Sequence, residues 1–66
     1  MRKVMSYTFK VGDRVRVNDY PVSLPYRGEC GVIKGRDGVD PSAWEVEFEN
    51  GNRNGYFPNH LRRIKR

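Results

Sequence analysis

The sequence predicts an all-β fold, five short strands closed into one small barrel. Three observations lead there. Seven glycines and four prolines cut the chain into pieces too short for a stable helix. The pieces alternate polar and apolar residues with a period of two. An Asn50-Gly51 pair, the strongest hairpin signal in the chain, follows the cleanest of the alternating stretches.

Taken in order, residues 1–8 read as a flexible N-terminal arm and residues 9–66 as a single domain. Val11-Gly12-Asp13 is a turn into the first strand, Arg14-Val15-Arg16-Val17, whose valines point inward. Residues 18–27, with Pro21 and Pro25, form a long excursion. Cys30-Gly31-Val32-Ile33-Lys34 is the second strand, bounded by Gly28 and Gly35, with Cys30 expected to be half-buried. A second loop covers residues 36–42. Trp44-Glu45-Val46-Glu47-Phe48-Glu49 is the third strand, with its three apolar residues on one face and its three glutamates on the other. Gly55-Tyr56-Phe57-Pro58 is the fourth. Pro58-Asn59-His60-Leu61 suits a single 3-10 turn. Arg62-Arg63-Ile64-Lys65 is the fifth strand, with Ile64 inward. Closure of the sheet would remove the exposed edges that invite aggregation.

Length and composition narrow the functional classes. Sixty-six residues make one domain with a thin core. Deep, water-excluding active sites are hard to build in it. The net charge is +5, from 13 Lys and Arg against 8 Asp and Glu, and nine of the 13 are arginine. Arginine forks suit phosphate and carboxylate, so this balance points to anionic partners. Cys30 is the single cysteine, so neither an intrachain disulfide nor a cysteine-based metal site is expected. His60 is the single histidine and has no neighbouring Ser, Cys or carboxylate pair to act with. No catalytic residue, cofactor or metal is therefore expected. Residues 1–10 lack the apolar run of a signal peptide, and no stretch approaches the length of a membrane-spanning helix. The chain reads as cytoplasmic, without a membrane partner.

Three families share segments with this sequence. Gly55-Tyr56-Phe57-Pro58-Asn59-His60-Leu61, ending at Ile64, resembles the end of eukaryotic SH3 domains, where such a stretch forms the fourth strand, the 3-10 turn and the fifth strand. The resemblance puts Trp44 where that family has its groove tryptophan. His60 replaces the second groove tyrosine, and the Ala-Leu-Tyr-Asp-Tyr motif is missing from the first strand. Lys10-Val11-Gly12-Asp13-Arg14-Val15-Arg16-Val17, followed by Gly28-Glu29-Cys30-Gly31-Val32-Ile33, is similar to the pattern of KOW and Tudor-like barrels of the translation and transcription machinery. Thr8-Phe9, residues 12–16 and residues 56–64 look like the type II dihydrofolate reductases. That family's catalytic Val-Gln-Ile-Tyr strand is not reproduced at Arg53-Asn54-Gly55-Tyr56 or nearby. All three resemblances imply a five-stranded SH3-like barrel with a 3-10 turn before the last strand.

Two candidate surfaces follow from that fold. Pairing of the first and last strands, which the resemblance implies, would gather Arg14, Arg16, Arg62, Arg63 and Lys65 into a basic face for the phosphate backbone of DNA or RNA. Glutamates on the third strand would leave the charge polarised. Tyr20, Tyr26, Trp44, Phe57 and Pro58 could converge into an aromatic groove for stacked bases or a proline-containing or acidic protein partner. Trp44 is equally at home in the core. The leading expectation is a non-enzymatic module that binds nucleic acid or a nucleoprotein complex. The alternatives are a protein-interaction module or accessory subunit using the groove, and then an enzyme of the type II dihydrofolate reductase kind.

Overall fold

A computed structural model describes residues 9–64. The expected arm of residues 1–8 lies outside them, as do Lys65 and Arg66. β1 (Arg14–Val17), β2 (Cys30–Arg36), β3 (Trp44–Phe48), β4 (Arg53–Tyr56) and β5 (Leu61–Arg63) form one antiparallel sheet. Its order is β4-β3-β2-β1-β5, so β4 and β5 are its edges. A 3-10 turn, Pro58–His60, leads into β5. Both edge strands are short, which limits the unpaired backbone they present.

Alternation puts the apolar residues on one side. Val15, Val17, Ile33 and Val46 are fully buried, and Phe9, Trp44, Phe48, Tyr56 and Leu61 complete the cluster. Burying each of the four aliphatic side chains contributes roughly 1.5–3 kcal/mol. Tyr56 on β4 and Leu61 on β5 belong to this one core, but β4 and β5 do not pair with each other, so the expected closure of the sheet is not seen.

Several boundaries differ from the sequence expectation: β3 stops at Phe48 rather than Glu49, β5 spans Leu61–Arg63 rather than starting at Arg62, and β4 and β2 are shifted as follows. β4 begins at Arg53 rather than Gly55, because the hairpin is tight: Phe48 N–H donates to the Asn52 carbonyl, and Glu47 pairs with Arg53. Gly51 takes the left-handed conformation that closes this turn, at φ 89°. The strand ends at Tyr56, and Phe57 turns outward before Pro58. β2 runs past Gly35 because a bulge between Ile33 and Gly35 shifts the register. That shift brings Arg36 opposite Trp44, on the core side. Its guanidinium lies 3.8 Å from the ring centroid of Trp44, and its Nη1 donates to the Pro41 carbonyl at 3.1 Å.

The long loop between β1 and β2 is tied down at several points. Asn18 donates its N–H to the His60 carbonyl and its side-chain amide to the Asn59 carbonyl. Leu24 and Tyr26 pack against the core. The Tyr56 hydroxyl donates to the Pro25 carbonyl at 2.6 Å.

Gly31 is where the packing is tightest. A Cβ there would lie 2.6 Å from Val46 Cγ1 and 2.8 Å from the Glu47 carbonyl oxygen. Gly31→Ala is expected to cost about 1–3 kcal/mol through overpacking. Gly38→Ala, where nothing lies within 4 Å, is expected to stay within about 0.5 kcal/mol of the parent. Urea denaturation of both variants checks this; equal effects would refute it.

Candidate binding surface

β1 is hydrogen-bonded on both sides, and its register sorts the predicted basic residues. Across β1 and β5 the pairs are Val15 with Arg63, Arg16 with Arg62, and Val17 with Leu61. Directly opposed residues share a face. Arg16 and Arg62 therefore stand together on the outer face, with exposed Arg14 two residues from Arg16 on the same side. Arg63 belongs instead to the side of Val15. Its Nε lies 3.4 Å from Asp13 Oδ2, and its guanidinium lies 5.3 Å from the ring centroid of Phe9. Adjacent residues of a strand cannot both face out, so Arg62 and Arg63 separate. Ile64 is corrected for the same reason. Its N–H donates to the Arg14 carbonyl, and it sits half-buried one step beyond Arg63 rather than inward with the valines. Lys65 lies outside the described residues.

The acidic strand does not stay unbalanced. Arg53 on β4 reaches Glu45 at 3.6 Å and Glu47 at 3.9 Å, and Lys34 on β2 reaches Glu47 at 3.5 Å. Counting back from the Asn50-Gly51 hairpin would have placed Arg53 opposite Glu47; the sequence expectation missed it. Among the described residues no carboxylate forms an ion pair with Arg14, Arg16 or Arg62. Arg16 Nε is held by the Gly28 carbonyl at 3.1 Å. Four of the five excess positive charges belong to Arg2, Lys3, Lys65 and Arg66, outside the described residues. Nine Lys and Arg against eight Asp and Glu leave the described residues close to neutral, while the five strands alone hold seven of those cations and two of those carboxylates, sorted by strand.

The aromatic residues go to different neighbours. Trp44 is buried at 6% exposure and packs edge-on against Phe9, with centroids 5.8 Å apart, so it is a core residue. Tyr26 is half-buried and stacks on Phe48 at 4.4 Å, and its hydroxyl accepts from Asn52 Nδ2 at 2.6 Å. It does so in the left-handed region, at φ 59°, a conformation that costs a non-glycine residue energy. Phe57 contacts the ring of His60, and Pro58 beside it is half-buried. Tyr20 is 79% exposed. Cys30, expected to be half-buried, is exposed.

Burial, and then the neighbouring Tyr26, push the Tyr56 hydroxyl up to about 12. In the loop before β3, hydrogen bonds from the side chain and then the backbone of Ser42 hold the Asp40 carboxyl below its ordinary value. Among the described residues no group of three or more His, Cys, Asp or Glu could hold a metal ion. Among the same residues no helix is long and apolar enough to cross a membrane. Compared with family models, curated proteins and solved structures, the chain matches none.

The raised Tyr56 value makes a signed prediction. Between pH 10 and about 12 the unfolded chain loses this proton while the folded chain keeps it, so stability falls with rising pH. An ultraviolet absorbance titration of the folded protein is expected to show one tyrosine ionising late. Tyr56→Phe is expected to remove that late step; its persistence in the variant would refute the assignment.

Proposed function

We propose that this chain is a non-enzymatic binding module on an SH3-like barrel. It contacts the phosphate backbone of nucleic acid, free or in a nucleoprotein complex, through Arg14, Arg16 and Arg62. The shared core of β4 and β5 supports the barrel. One observation carries the function: Arg16 stands directly opposite Arg62, and no described carboxylate pairs with either. Like charges directly opposed on a sheet repel, and an anion between them relieves that cost. Two forks on neighbouring strands suit successive phosphate oxygens. Affinity then comes mostly from backbone contacts, with little sequence preference.

A second reading, a protein-interaction module, is favoured by the exposure of Tyr20 and Phe57. Asn18, two residues before Tyr20, is hydrogen-bonded to the turn that follows Phe57. A partner held there would be lost with Tyr20→Ala or Phe57→Ala and kept with Arg62→Gln.

Titration with single-stranded and double-stranded oligonucleotides over a range of salt separates the two. The expected result is steep salt dependence, with the slope of log K against log salt reduced by about one unit in Arg16→Gln or Arg62→Gln. Arg63→Gln, which faces the other side, is expected to leave the affinity nearly unchanged. Binding that is flat in salt, or no binding to DNA or RNA, would overturn the leading reading.

A further inference from the structure

The outer face of β1, β2 and β3 carries an order of charge that nucleic-acid binding does not explain. Register sets Arg14 beside Val32 and Val32 beside Glu47. The next outward row sets Arg16 beside Cys30. One further step of the β2–β3 register brings Glu49 beside Cys30, and both line the same depression. Each row therefore runs from a cation on β1, through an uncharged residue on β2, to a carboxylate on β3. Arg14, Val32, Cys30, Glu47, Glu49 and Lys34 border this shallow depression of about 480 Å³. Arg14, Arg16, Cys30, Lys34 and Glu49 are exposed.

A face ordered in this way is complementary to itself. Turned over about an axis along β2, a second sheet lays its β3 above β1 and its β1 above β3. Arg14 then meets Glu47 of the other copy, and Arg16 meets Glu49. Val32 meets Val32, Cys30 meets Cys30 and Lys34 meets Lys34 across the axis, each lysine being offset by Glu47 of its own chain. Each ion pair occurs twice, as in any isologous contact. Lys34 stays with Glu47 of its own chain at 3.5 Å, so the second row, Arg16 with Glu49, carries the stronger attraction.

We propose that this face docks a second copy of the chain, face to face, about a two-fold axis running along β2. The occupant is a second copy because the complementarity is internal: the same rows supply both partners of every pair. The depression is small and its rim polar, so the dimer is transient and weakens with salt. Arg14 and Arg16 serve both this contact and the phosphate face, so nucleic acid and the second copy compete for them. The dimer does not depend on nucleic-acid binding, since Arg62 takes no part in it.

Sedimentation equilibrium at low and high salt, up to about 1 mM protein, tests the proposal. The parent is expected to self-associate at low salt. Arg16→Glu alone and Glu49→Arg alone are each expected to weaken association at least tenfold, because each sets like charges against each other. An equimolar mixture of the two variants is expected to recover it, because both cross-pairs are then opposite in sign. A bis-maleimide with a spacer of about 10 Å, the distance between stacked sheets, is expected to link Cys30 to Cys30. Cys30→Ser removes the link. Arg62→Gln is expected to lower oligonucleotide affinity and leave self-association unchanged. A monomer at every concentration, or a mixture that does not recover, would overturn the dimer whatever the oligonucleotide titration gives.

Discussion

Val15 and Val17 are fully buried on β1, an interior strand of the sheet, and the rest of the molecule depends on how that strand is held. β1 is paired on both sides, with β2 through residues 14–16 and with β5 through residues 15–17. A slip of one residue would turn both valines to water and both arginines into the core. Burial therefore fixes the register on either side. That register in turn decides which cations share a face. Arg16 meets Arg62 because Val17 must meet Leu61.

A second layer of the structure is aromatic. A domain of this size has little aliphatic core, and rings make up the difference. Phe9 and Trp44 meet edge to face, as do Phe48 and Tyr56, while Tyr26 lies flat on Phe48 from the long loop. Arg36 covers the Trp44 ring and Arg63 lies near Phe9. These two arginines shield apolar surface with their guanidinium planes rather than presenting charge to a partner. The Trp44 indole N–H is buried without a partner among the described residues, a cost of roughly 1–3 kcal/mol that its ring contacts offset.

Charge is distributed by strand. The glutamates of β3 are matched by Lys34 and Arg53 on their neighbours, and Asp13 is matched by Arg63. What remains is a cationic pair of strands, β1 and β5, beside an acidic one, with an uncharged stretch of β2 between. The proposed phosphate contact uses the cationic edge alone. The proposed dimer uses the contrast across β2. Both arise from one sheet pattern, and competition between them follows from the shared Arg14 and Arg16.

Much of this was legible in the chain. Alternation located the strands, the Asn50-Gly51 pair located the hairpin, and Pro58 located the 3-10 turn, because each is a local conformational preference. The single histidine and single cysteine were plain by inspection. The sequence also determined that Arg14 and Arg16 face out, since their neighbours Val15 and Val17 must face in. It could not decide which face Arg62, Arg63 and Ile64 occupy, because a run of two arginines carries no alternation and only pairing with β1 assigns them sides. It could not choose between core and groove for Trp44, because that depends on where Phe9 and the bulged end of β2 lie in space. Facing pairs such as Arg16 with Arg62 join residues 46 positions apart, and only the folded sheet, through its register, brings them together.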